Sequence, residues 1–161
     1  MSTRFDDDIT FTGAVTLTPK TGAVQTQFIP KRYVSQLITQ AALSSGATNT
    51  INLTGEPVGM IPLACYVMTD EATTSGNAAT TGLTAEVGIS GDPDFHMVST
   101  SVFGAASRKE AYAGVGIGAY RASDSIQLKL TAVGGGSENC SHITNLNMYV
   151  VLYYLEVASE V

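Results

Sequence analysis

The stretch Asn145-Leu146-Asn147-Met148-Tyr149-Val150-Val151-Leu152-Tyr153-Tyr154-Leu155-Glu156 decides the fold class. Successive residues of a β-strand point to opposite faces. One parity of this stretch carries Leu146, Met148, Val150, Leu152 and Tyr154, and the other carries Tyr149, Val151, Tyr153 and Leu155. Both faces are therefore apolar, which predicts a central strand or a strand whose second face is covered by a partner.

Upstream of this stretch the chain reads as short strands separated by turn signals. Alternating or mostly apolar runs predict strands at residues 48–53, 60–69, 83–89, 95–103 and 125–133, with an edge strand within 108–117. Residues 32–40 fit a strand or a short helix. Residues 44–47 and 90–94 are turns by composition, and the segments 70–82 and 134–137 read as loops.

Seven to nine short strands without a convincing amphipathic helix predict an all-β protein, an antiparallel β-sandwich of jelly-roll type. Jelly-roll and immunoglobulin-like topologies are hard to separate by strand count alone. The chain has no Trp, so the Cys–Trp–Cys core of immunoglobulin domains is missing.

Residues 1–30 differ from the rest and are predicted to form an extended N-terminal arm, followed by the sandwich domain at 31–161. The segment opens with Asp6-Asp7-Asp8 and continues in apolar and Thr alternation to Leu17, while Pro19, Gly22 and Pro30 punctuate it. Period-two alternation is a strand signal. A disordered leader is the alternative reading.

The composition favours contact with other proteins over binding to nucleic acid. Only 14% of the 161 residues are charged, against about 25% in an average soluble protein. A surface with few charges to desolvate suits close packing against another protein. The net charge of −6 disfavours binding to nucleic acid. We expect no membrane span and no signal peptide, hence synthesis in a cytoplasm.

Residues that suggest chemistry are few, and each has a structural alternative. Asp92 and Asp94 are candidate calcium ligands or an acid/base pair, or else two capping side chains of a turn. His96 lies near Ser90 and Ser99, but no nucleophile-elbow motif supports catalysis. His142 has no second His or Cys at ligand spacing, and the series Gly114, Gly116, Gly118 lacks phosphate-loop spacing. We predict no catalytic, cofactor-binding or metal-binding residues.

The sequence does not decide whether the two cysteines form a disulfide. Cys65 sits inside an apolar run and is predicted to be a core residue, whereas Cys140 falls in a polar segment. Nothing in their spacing demands a disulfide.

Several motifs resemble those of small virion proteins of tailed bacteriophages. They are Thr50-Ile51-Asn52-Leu53-Thr54, the loop to Gly59-Met60-Ile61-Pro62, the strand ending at Thr69, Ser75-Gly76-Asn77, and Val87-Gly88-Ile89-Ser90-Gly91-Asp92-Pro93-Asp94-Phe95. The likeness covers roughly residues 35 to 157 and leaves the arm out. The proteins resembled are β-sandwiches that decorate or cement phage capsids, often as trimers.

The resemblance implies a non-enzymatic structural protein on the capsid surface, with no cofactor. Its expected partners are copies of itself in a homotrimer and the major capsid protein or another virion protein. The arm and the last strand are the predicted contact regions, through Phe5, Ile9, Phe11, Val15, Leu17, Tyr149 and Tyr153. The alternatives are a tail, baseplate or head-fibre component of the same virion, or a carbohydrate-binding jelly-roll module, which the lack of Trp disfavours.

Overall fold

Two antiparallel sheets form the fold of this chain, seen in a computed structural model that describes residues 30–57, 59–109 and 125–156. The front sheet contains β1 (Pro30–Val34), β2 (Ile38–Thr39), β4 (Met60–Thr69), β8 (Ser107–Lys109) and β11 (Asn147–Glu156). The back sheet contains β3 (Thr48–Asn52), β6 (Thr80–Ile89), β7 (Asp92–Ser101) and β9 (Ile126–Gly134). A small ladder pairs β5 (Thr74–Ser75) with β10 (Ile143–Thr144).

The order of the strands is β1-β11-β4-β8 in the front sheet, with β2 also pairing to β11, and β3-β9-β6-β7 in the back sheet. Set the three two-residue strands aside, and eight strands remain in the described part of the chain. Their pairing is nested, because the first pairs with the last, the second with the seventh, the third with the sixth and the fourth with the fifth. This nested double sheet is the jelly roll, and the predicted all-β sandwich of that type is confirmed.

The core lies between the sheets and is built from one parity of each central strand. From β11 it takes Met148, Val150 and Leu152, and from β9 it takes Ile126, Leu128 and Leu130, all of them buried. β11 is central, as its two apolar faces predicted, with β1 and β2 on one side and β4 on the other. Burial of a large apolar side chain contributes about 1.5–3 kcal/mol, so this layer supplies the main stabilisation.

The turn predicted at residues 90–94 is shorter than expected. β6 ends at Ile89 and β7 already starts at Asp92, so the hairpin turns at Ser90 and Gly91, where Gly91 has a φ of 88°. The ladder shifts register between Val87 and Ile89. Gly88 allows this close approach, because a Cβ there would lie 2.1 Å from the Asp92 carbonyl oxygen.

Two other expectations need correction. The loop predicted at 70–82 contains β5 and the start of β6, and the ambiguous segment 32–40 is split among β1, β2 and a 3₁₀ turn that begins at Gln40. Strands of two residues leave no readable periodicity. Within the described ranges, no helix has the length and apolar character to cross a membrane.

Candidate partner-binding face

The outer surface of the front sheet is the strongest candidate site. Directly opposed residues of antiparallel strands share a face, and the register gives three rows across this surface. They are Arg32–Tyr153–Ala64, Val34–Val151–Tyr66, and Tyr149–Met68–Arg108. We call these nine residues the front face. They include three tyrosines and two arginines but no acidic residue.

Aromatic and cationic side chains are stacked at the centre of the front face. The rings of Tyr66 and Tyr153 are tilted, with centroids 6.1 Å apart. The guanidinium carbon of Arg108 lies 3.9 Å from the centroid of the Tyr66 ring, within cation–π range. Burial is the main cause that raises the pKa of the Tyr66 hydroxyl, and neighbouring Tyr153 adds to it. This cluster packs two aromatic rings and one guanidinium group together at the centre of the front face.

The middle row of the front face is unusually well buried. Val151 and Tyr66 point away from the sandwich core, yet they are 0% and 3% exposed. At the edge of the same row, Val34 is 42% exposed. The front face thus has a buried apolar centre and an exposed apolar side chain at its margin.

The outer surface of the back sheet has a different chemistry. Its three rows are Thr48–Thr131–Thr84, Thr50–Lys129–Glu86, and Asn52–Gln127–Gly88, and we call these nine residues the back face. Four of its polar side chains are joined in two pairs. Lys129 Nζ lies 2.8 Å from Glu86 Oε2, and Gln127 Nε2 donates to Asn52 Oδ1 at 2.9 Å. A polar, internally paired surface suits contact with water.

Two of the predicted contact residues fall on the front face. Tyr149 and Tyr153 are half-buried there, on the parity of β11 that faces away from the core. Sequence reasoning missed their neighbours Tyr66, Met68 and Arg108. The signal was present for β4, since its run from Met60 to Thr69 is apolar on both parities, as in β11. The arm, with Phe5, Ile9, Phe11, Val15 and Leu17, lies outside the described residues.

The titratable residues that suggested chemistry lie in two places in the described structure, on β7 and near the 3₁₀ turn before β10, while Gly114, Gly116 and Gly118 lie outside the described residues. Asp94 is exposed on β7, whereas His96 on the same strand is 1% exposed, with its ring edge-on to Phe95. His142 lies in a separate polar cluster, where its Nδ1 is 2.9 Å from the Thr80 hydroxyl. In the ranges that the structure describes, no three His, Cys, Asp or Glu side chains are placed to hold a metal ion.

Both cysteines are free and buried. Cys65 belongs to the core, as predicted, and burial raises the pKa of its thiol to about 12. Cys140 was expected in a polar loop, but it is 0% exposed. A 3₁₀ turn at Cys140–His142, capped by the Asn139 side chain, turns this thiol inward, and its Sγ donates to the Ala47 carbonyl oxygen at 3.4 Å.

Comparison with known proteins identifies the fold. No family model matches the sequence, and no curated protein matches it either. One similar solved chain comes from the capsid of Ralstonia phage GP4, with 19% identity, a TM-score of 0.51, and coverage of 90% of this chain and 92% of that one. Another comes from the cyanophage Pam1 capsid asymmetric unit, with 14% identity, a TM-score of 0.48, and coverage of 86% and 94%. This chain therefore shares its β-sandwich fold with a chain of the Ralstonia phage capsid structure.

Proposed function

We propose that this protein is a virion structural protein that decorates or cements a phage capsid by binding between shell subunits, without catalysis. The observation that carries the proposal is the front face, nine residues with an aromatic centre and no carboxylate. The fold shared with a chain from the capsid of Ralstonia phage GP4 supports the virion setting.

The front face has the residue types from which interface energy comes. Tyr and Arg are enriched at interface hot spots, because each buries a large area and also forms directional contacts. Stable interfaces bury about 1,600 Å² in total, roughly 800 Å² on each partner. Tyr149, Tyr153 and Val34 supply the accessible part of such a surface. The back face, which is mostly polar, supplies the side that faces solvent.

A decoration protein stabilises a capsid by mass action. If it binds the assembled shell and not free shell subunits, each bound copy adds free energy that must be lost before the shell opens. The proposed assembly is a homotrimer, in which neighbouring copies cover part of the front face. Cyclic assembly places the same residues at each of the three contacts, so the trimer buries the same interface three times.

The N-terminal arm of residues 1–30 is the second proposed contact region. Its alternating apolar residues suit an extended segment that lies against a neighbour and adds backbone hydrogen bonds. Deleting residues 1–29 retains all of β1, which begins at Pro30. The shortened chain is expected to keep the thermal unfolding transition of the sandwich and to bind particles more weakly. Particle binding as tight as that of the full chain would refute a role for the arm.

Two measurements test the virion role. Light scattering after size exclusion is expected to give three times the mass of one chain, and the protein is expected to co-sediment with empty shells of its phage. Electron microscopy of intact virions then separates a head position from a tail, baseplate or head-fibre position. A monomer that leaves shells unbound and carries a stoichiometric metal ion with measurable turnover would overturn the proposal.

A further inference from the structure

Positive charge is concentrated on the front sheet. The described residues include five Lys and Arg side chains, and all but Lys129 lie on β1 or β8, the strands at the two edges of that sheet. Of these four, Arg32 and Arg108 belong to the front face. The chain as a whole has a net charge of −6. A cationic, aromatic surface on an acidic protein fits an acidic, apolar occupant.

The chain itself contains a segment of that chemistry. Residues 5–17 open with Phe5 and three aspartates, Asp6 to Asp8, and then place Ile9, Phe11, Val15 and Leu17 on one parity, separated mostly by threonines. Such a segment, when extended, presents carboxylates at one end and an apolar stripe along the rest. Both halves have counterparts on the front face, where arginines flank tyrosines and valines.

The dimensions also agree. Arg32 on β1 and Arg108 on β8 are separated by three strand-to-strand spacings. Along the strands they are offset by four residues, because Arg32 shares a row with Tyr153 and Arg108 shares a row with Tyr149. Strands are spaced about 4.8 Å apart and rise about 3.3 Å per residue, so the two arginines are separated by about 19 Å on a diagonal. An extended segment crosses that distance with about six residues. Residues 5–17 are long enough to contact Arg108 and the accessible parts of Tyr149 and Tyr153.

We propose that residues 5–17 bind across the front face, with the three aspartates beside Arg108 and with Ile9 and Phe11 on the tyrosines. The back face is a poor alternative, because it carries a single cation, Lys129, which faces Glu86 on the same surface. This docking concerns only copies of the one chain and does not depend on the virion role.

Cysteine cross-linking in the full-length protein tests the docking. The pair Ile9→Cys with Val34→Cys places one thiol in the segment and one on the front face. The matched control is Ile9→Cys with Thr50→Cys, since Thr50 is an exposed residue of the edge strand of the back face. Native Cys65 and Cys140 are buried and do not compete. Docking raises the local thiol concentration, so the first pair is expected to oxidise about tenfold faster.

A charge change distinguishes docking from chance encounters between residues 9 and 34, which are joined by a short length of chain. Arg108→Glu is expected to slow the oxidation of the Ile9→Cys and Val34→Cys pair about fivefold at low salt, through repulsion of the three aspartates. Lys109→Glu on the same strand, with the opposite parity, is expected to leave the rate unchanged. A disulfide within one chain shows docking on the same copy, and one between chains shows docking on a neighbour. Equal rates for the two cysteine pairs, or equal effects of the two charge changes, would overturn the proposal.

Discussion

The guanidinium of Arg108 covers the ring of Tyr66, with its carbon 3.9 Å from the ring centroid. The two residues are 42 positions apart in the sequence and belong to neighbouring strands, β8 and β4. β8 is only three residues long, so this contact is one of the few that join the edge strand to the sheet. The pair therefore links the margin of the front face to its aromatic centre.

Replacing Arg108 tests that link. Arg108→Ala is expected to lower the free energy of unfolding by about 0.5–1 kcal/mol, because the cation–π contact is lost and the Tyr66 ring gains water. Denaturant unfolding followed by tyrosine fluorescence measures the change. Lys109→Ala removes the same charge from the same strand and is expected to leave stability nearly unchanged. A larger loss for Lys109→Ala would show that β8 is held by another contact.

The front face makes a prediction for assembly. Val34→Lys puts a charge on an exposed residue of this face, so the fold is retained while any interface there must bury an ammonium group. We expect self-association or shell binding to weaken by at least about tenfold, since an unpaired charge in an interface costs more than 1.4 kcal/mol. Thr50→Lys is the matched change on the back face, and equal weakening by both variants would exclude the front face as the specific contact. Sedimentation equilibrium and shell co-sedimentation measure the two effects.

Gly88 makes a prediction for the hairpin of β6 and β7. A Cβ at this position would meet the Asp92 carbonyl oxygen at 2.1 Å and the Pro93 carbonyl carbon at 2.4 Å, so the backbone must move. Gly88→Ala is expected to destabilise the protein by about 1–3 kcal/mol or more. Gly135→Ala is the control, because a Cβ there meets no atom within 4 Å. Thermal unfolding of both variants decides the matter, and equal melting temperatures would contradict the close approach.

Stability is expected to fall in alkali. Burial raises the pKa of Cys65 from 9.0 to about 12, and burial, with Glu56 nearby, raises the pKa of Tyr33 from 10.0 to about 12. The unfolded chain loses these protons first, so the stability present below pH 9 is lost progressively between pH 9 and 12. Through Cys65 alone, the free energy of unfolding falls by at most about 1.4 kcal/mol per pH unit.

Urea unfolding at a series of pH values measures this slope. Cys65→Ala removes the thiol and is expected to flatten the fall that begins near pH 9. Tyr33→Phe is expected to flatten the fall above pH 10, at a cost of about 1 kcal/mol for the hydrogen bond to the Thr54 carbonyl oxygen. An unchanged slope in Cys65→Ala would show that other groups control alkaline unfolding.

The sequence predicted the long strands and the fold class well, because their burial leaves a period of two. β4 was expected at residues 60–69 and is found there, and β11 was expected to be central and is. Pairing order was beyond the sequence, since nothing in β1 specifies that it lies beside β11 and not beside β3. The jelly-roll type was therefore an inference from strand number and resemblance, which the nested pairing now confirms.

The front face was only half predictable for the same reason. Tyr149 and Tyr153 were identified from their own strand, but Tyr66 and Arg108 join them through the registers of two ladders. Short elements were missed because they owe their structure to contacts and not to pattern. The pairing of β5 with β10 is accompanied by a 2.7 Å hydrogen bond between the hydroxyls of Thr74 and Thr144, 70 residues apart.

Pro30 lies opposite Leu155, so the first and last of the strands that the structure describes are neighbours. Because β11 lies between β1 and β4, the front sheet cannot be completed before residues 147–156 have been synthesised. Non-local topology of this kind also slows folding. The front face therefore takes its final form only when β1 pairs with β11, a contact between segments about 125 residues apart in the sequence.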